Sequence, residues 1–180
     1  MDDFEAVLGG QFLINKELRT YVAVRDSQQA ASGQNRYSFS SLASQLGVNI
    51  PTDVFGALFD DQLYVSLYGF GSGPYGRGVM IKIKDRTLLQ SALEAWKPQM
   101  AANLNRFFAI DPAQAASPGF LVNEETYPGI SITYRNFPTA LKTIDYAFLT
   151  ANSGDAYLVL TNSKDHMFAI IDKFQSSANR

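Results

Sequence analysis

The sequence predicts an α+β domain, with an antiparallel or mixed sheet and helices packed on one face. Three observations predict it. Pairs of strand-like segments, rather than single ones, alternate with helical segments. The stretch 78–84 sets Val79, Ile81 and Ile83 against Met80, Lys82 and Lys84, which gives a strand one covered and one partly wet face. Two further stretches repeat apolar residues at helical spacing.

Period-two patterning places strands at 11–14, 18–24, 62–68, 78–84, 129–134, 146–151 and 156–161. Short helices are expected at 3–8, 40–46 and 52–59. Asp85 can cap a long helix, because its carboxylate can accept from backbone amides two or three residues on. Leu89, Leu93, Trp96, Met100, Leu104 and Phe107 form the stripe of that helix, and Pro98 inside it should kink or split it. The last helix spans 163–174, capped by Asn162 or Ser163. Its Met167, Ile170, Ile171 and Phe174 face inward, with Asp172 and Lys173 outward. Residues 26–37 and 111–119 read as loops. Asp60-Asp61 should end a helix and start a turn, and Glu124-Glu125 should decorate a loop.

The chain reads as one domain, 1–180. Phe4–Ile14 and Phe55–Val65 look alike, each an apolar helix, a polar break and an apolar strand. Each is followed by a basic-Asp pair, Arg25-Asp26 or Lys84-Asp85. Either 2–47 and 52–110 are related units, with 119–175 completing the sheet and closing helix, or the similarity is chance.

Composition narrows the function classes. Fifteen basic and seventeen acidic side chains give a net charge of −2, which excludes a strongly basic nucleic-acid binder. No run approaches the ~18 apolar residues of a membrane helix. The absence of cysteine removes disulfides, thiolate metal sites and thiol nucleophiles together. Charged residues are only 18%, and Asn, Gln, Ser, Thr and Tyr take their place, a surface that reads as extracytoplasmic. Met1 directly before Asp2-Asp3 reads as an initiator set ahead of the middle of a longer protein.

Catalytic patterns are sparse. The single histidine, His166, falls in the first turn of the last helix and reads as a surface or half-buried residue. The acidic doublets sit on neighbouring positions, whose carboxylates diverge instead of converging as glycoside hydrolysis requires. The string Gly71-Ser72-Gly73-Pro74-Tyr75-Gly76 has the G-x-G-x-x-G spacing. A strand follows it, not the helix whose N-terminus would face a pyrophosphate. No cofactor and no metal are implied.

The most distinctive local feature is the hairpin 68–78. Its glycines let the backbone bend, while Tyr68, Phe70, Tyr75 and Arg77 carry the contact potential. These four are the candidate ligand or partner contacts. Either the rings are exposed and hold a glycan, a peptide or a neighbouring domain, or they fold back onto the sheet edge.

Several segments together carry a resemblance: a strand ending in Lys84-Asp85 before a long amphipathic helix, then Tyr127-Pro128-Gly129-Ile130, Asp145-Tyr146-Ala147-Phe148, and Tyr157-Leu158-Val159-Leu160-Thr161-Asn162-Ser163 before a closing helix. The region 53–174 resembles an uncharacterised bacterial family of extracytoplasmic, membrane-anchored proteins, a domain of unknown function. The resemblance implies a bacterial source, a cell-envelope location and a parent protein anchored in a membrane. It brings no catalytic residues. The expected role is a non-enzymatic envelope domain that binds an unknown protein or an envelope glycan, or acts as a structural module. The alternative is a carrier of a lipid or small apolar ligand, with a pocket between the sheet and the 89–107 helix. A hydrolase working with carboxylates alone ranks last.

Overall fold

The computed structural model describes residues 16–22, 38–71, 75–117, 123–139 and 142–178. Seven strands form one antiparallel sheet: β1 (Leu18–Val22), β2 (Leu58–Tyr68), β3 (Gly76–Ile83), β4 (Asn123–Tyr127), β5 (Ile130–Asn136), β6 (Thr143–Thr150) and β7 (Ala156–Thr161). Their order is β1-β2-β3-β7-β6-β5-β4. Two meanders, β1–β3 and β4–β7, therefore meet at the centre, where β3 pairs with β7. The described helices are α1 (Phe39–Leu46), α2 (Thr52–Gly56), α3 (Arg86–Phe108), α4 (Pro112–Ala116) and α5 (Lys164–Ala178).

The α+β class and the antiparallel sheet are as the sequence indicates. The placement of the helices on one face holds for four of them. Leu42, Val54, Leu89, Trp96, Phe108 and Ala115 from α1–α4 pack against Val65, Ile81, Tyr146 and Leu158. The fifth, α5, lies on the opposite face, where Met167, Ile170 and Ile171 pack against Ile132, Ala147, Leu149 and Val159. The reason is strand periodicity: Leu158 and Leu160 point one way and Val159 the other, so both faces of β7 are apolar and both need cover.

Local chemistry accounts for the element ends. Asp85 caps α3 by accepting from the Leu88 amide at 2.9 Å, and the predicted α3 stripe is buried throughout. Pro98 does not split α3, which runs unbroken past it. Pro98 and Glu94 are both exposed, so the Glu94 carbonyl that loses its intrahelical donor can hydrate instead. Asp60 and Asp61 lie in β2, where the register shifts between Leu58 and Leu63. The Asp60 carboxylate accepts from the Ser40 amide at 2.7 Å, satisfying a free donor in the first turn of α1. Glu124 and Glu125 belong to the edge strand β4, not to a loop. Residues 112–116, read from sequence as loop, form the short α4, with Asp111 accepting from the Ala113 amide at 2.7 Å.

The described elements share one sheet across the proposed repeat. The first copy of the repeat, 4–14, and the expected strand 11–14 and helix 3–8 lie outside the described residues.

Candidate functional site

One row of backbone partners crosses all seven strands: Thr20, Ser66, Gly78, Thr161, Asp145, Tyr134 and Asn123. It is a line of polar residues and one glycine on the α5 face of the sheet. His166 descends onto it from the first turn of α5. Its imidazole is fully buried, 0% exposed, rather than at the surface as its helical position suggested. Two glycines make this possible. Gly76 and Gly78 stand two apart on β3, so both face α5. A Cβ at Gly78 would come within 2.7 Å of Ser66 Oγ and 2.9 Å of His166 Cε1, and one at Gly76 within 3.0 Å of His166 Nδ1. The glycines at the end of the hairpin thus form the seat of an imidazole.

His166 Nε2 and Ser66 Oγ share a hydrogen bond at 3.0 Å, and the Tyr68 ring stacks on the imidazole with centroids 5.7 Å apart. Burial lowers the imidazole pKa to about 3, so the ring is neutral at ordinary pH. Further along that row, Asp145 Oδ2 lies 2.6 Å from the hydroxyl of Thr143, two residues back on β6, and 3.1 Å from that of Thr161. Burial raises the Asp145 pKa to about 7, against the opposing pull of the two threonine hydroxyls. The Thr161 hydroxyl also lies 3.2 Å from the Ser163 carbonyl, which can only accept. One hydroxyl has one proton, so when Thr161 donates to Ser163 the Asp145 carboxyl must supply the proton between them. That arrangement suits a carboxyl protonated near neutral pH.

A serine nucleophile needs a base oriented by a third group, and a substrate that can reach the serine. Ser66 and His166 do touch, but His166 Nδ1 has no partner and Asp145 bonds to the threonines instead. Both Ser66 and His166 are sealed under α5.

The four hairpin residues are divided between the two faces of the sheet. Tyr68 is buried at 7% exposure against His166, and half-buried Phe70 meets it edge to face at 5.4 Å. Tyr75 packs half-buried on the α3-side core. Arg77 donates to the Phe107 carbonyl at 3.1 Å, where it satisfies the C-terminal end of α3 together with Asn162, which donates to the Phe108 carbonyl at 2.9 Å. Tyr68 therefore offers no exposed contact face, and Arg77 is occupied by a helix end. The hairpin tip, 72–74, lies outside the described residues.

An open groove lies elsewhere among the described residues. A groove of about 390 Å³ runs between the N-terminal half of α3 and strands β5 and β6. Arg86, Gln90 and Glu94 line one wall, Ser131 and Thr133 the other, with Leu93, Tyr146 and Phe148 beneath. The Arg86 guanidinium sits 5.1 Å from the Phe148 ring centre, and Lys97 pairs with Glu94. Sequence reasoning missed this site, although Arg86, Gln90 and Glu94 recur every four residues beside the apolar stripe. A second cleft, of about 300 Å³, lies at the start of α5 between Asn136, Lys142 and Lys164. Its cations are engaged: Lys164 pairs with Glu125, and Lys142 donates to the Phe108 carbonyl at 3.4 Å. Among the described residues, the apolar pocket between the sheet and the helices α1 and α3 is about 10 Å³.

Among the described residues, fold and cavities define an α+β domain whose seven-stranded sheet is covered by helices on both faces and carries an open polar groove on the α3 side. No family model matches the chain, and neither a curated protein nor a solved structure matches it.

Proposed function

We propose that this is a non-enzymatic bacterial cell-envelope domain that holds an envelope glycan or a protein partner, and that the contact is made in the groove between α3 and β5–β6. The observation that carries the reading is the groove itself. It is open, and Gln90, Ser131 and Thr133 line it with side chains that can both donate and accept hydrogen bonds. The sealed Ser66–His166 pair supports a role without turnover. The low charge and the resemblance of 53–174 support the envelope setting and a membrane-anchored parent protein. The carrier reading has less support, because among the described residues the apolar pocket between α1, α3 and the sheet is about 10 Å³, too small for a lipid chain.

The test is co-sedimentation of the purified chain with isolated bacterial cell-wall material, alongside a Gln90→Ala/Ser131→Ala/Thr133→Val variant. The wild type is expected to sediment and the variant to stay in solution with an unchanged melting midpoint. Soluble wall fragments incubated with the protein should be recovered chemically unaltered. Sedimentation that the variant retains would remove the groove from the reading. Cleaved or modified fragments would remove the non-enzymatic assignment.

A further inference from the structure

We infer that the groove takes a saccharide bearing a carboxylate; the inference rests on the groove being the binding site. Arg86, Gln90 and Glu94 lie on successive turns of α3, a line of roughly 12 Å at 1.5 Å per residue. The two ends of that line differ. The Glu94 carboxylate is neutralised by Lys97, which also lies 5.9 Å from the Tyr146 ring centre. The Arg86 guanidinium stands at the first position of α3, where the helix dipole already favours an anion. It rests on the Phe148 ring, and no carboxylate pairs with it among the described residues. The neighbouring Asp85 carboxylate is turned to the Leu88 amide as the helix cap. One uncompensated cation, with a planar fork of donors, thus faces the groove, and a carboxylate matches that fork in both charge and shape.

The remainder of the lining favours a sugar over a peptide. Both β5 and β6 are inner strands, hydrogen-bonded on each side. Among the described residues, the groove therefore presents no free sheet edge to a peptide main chain, which is how extended peptides gain most of their contacts. Only side chains address the ligand. The Gln90 carboxamide and the Ser131 and Thr133 hydroxyls each donate and accept, as ring hydroxyls do. The apolar surface of Leu93, Tyr146 and Phe148 can take the C–H face of a ring. A volume of about 390 Å³ is at the small end of ligand sites, which suits one or two sugar rings.

The carboxylate could be the ether-linked lactyl group of N-acetylmuramic acid or the ring carboxylate of glucuronic acid. The experiment is calorimetric titration of the whole chain with each. N-acetylglucosamine and glucose serve as neutral counterparts, glucose 6-phosphate as a different anion, and the dipeptide Ala-Glu as an acid without a ring. One or both sugar acids should bind about tenfold or more tightly than their neutral counterparts, and more weakly as salt rises. Arg86→Gln should abolish that advantage, so that each sugar acid binds the variant no more tightly than its neutral counterpart does. Arg86→Lys, which keeps the charge and loses the fork, should retain only part of it. Arg86 is exposed, so equal melting midpoints separate lost binding from lost folding. Neutral sugars binding as tightly as the acids, with Arg86→Gln silent, would overturn the carboxylate and leave the groove reading standing. Tighter binding of glucose 6-phosphate or Ala-Glu would overturn the ligand class. No binding of any probe, together with wall sedimentation that ignores the groove variant, would overturn both.

Discussion

The imidazole of His166 lies directly over the bare backbone of Gly78, with Cε1 2.9 Å from where a Cβ would stand. The contact joins the first turn of α5 to the inner strand β3, and it closes only because that position has no side chain. Gly78→Ala should therefore destabilise the fold by about 1–3 kcal/mol, the usual range for overpacking. The added methyl would also meet Ser66 Oγ at 2.7 Å and Thr161 Cγ2 at 3.1 Å, so moving the imidazole alone cannot accommodate it. Denaturant unfolding measures this. An alanine variant as stable as the wild type would mean that α5 is not seated on β3 in this way.

Arg77 holds the end of a helix. Its guanidinium donates to the Phe107 carbonyl at 3.1 Å, in the last turn of α3. Arg77→Ala should cost about 1–2 kcal/mol through the lost charge-assisted bond and the lost cation at a helix C-terminus. It should leave saccharide titrations unchanged. Weakened binding at unchanged stability would return Arg77 to the contact surface.

Pro98 invites the opposite experiment. Pro98→Ala restores an amide able to reach the Glu94 carbonyl on the solvent side of α3. The gain in helix propensity is about 3 kcal/mol, and the looser unfolded chain returns up to about 1 kcal/mol of it. Allowing for a backbone already settled around the proline, a net stabilisation of about 1–2 kcal/mol is expected. In a chain of this size that is roughly 2–8 °C of melting midpoint. A lower midpoint would show that the packing of α3 depends on the proline at this position.

These residues also mark how far the sequence was legible. The α3 stripe, the Asp85 cap and the alternation of β3 could be read because burial leaves a periodic trace. The side on which α5 packs could not, because β7 is apolar at consecutive positions and supports cover on either face. Strand β4 escaped notice because an exposed edge strand carries polar residues such as Glu124 and Glu125 without alternation. His166 looked like a surface residue because what buries it is the pair of glycines at 76 and 78, ninety and eighty-eight positions earlier. The groove was half written in Arg86, Gln90 and Glu94. Its other wall is set by the pairing of β5 with β6, which no local pattern reveals.

Asp145 and His166 give the fold opposed responses to pH. The folded pKa of Asp145 is raised from 3.8 to about 7, so between those values the folded chain holds a proton that the unfolded chain has released. Its contribution to stability is complete below about pH 4, falls as pH rises, and is gone above about 7. The folded pKa of His166 is lowered from 6.5 to about 3, so there the unfolded chain holds the extra proton. Its contribution is complete above about pH 6.5 and is lost as pH falls towards 3. Each slope is about 1.4 kcal/mol per pH unit, and between roughly pH 4 and 6.5 they cancel. Single variants expose the two halves. The stability of the wild type relative to Asp145→Asn should fall as pH rises from 4 to 7. Relative to His166→Gln it should rise from pH 3 to 6.5 and then level. Referring each variant to the wild type cancels the surface carboxylates common to both. Denaturant unfolding at unit pH steps reads the two differences, and flat differences would mean that both groups titrate in the folded chain as they do in the unfolded one.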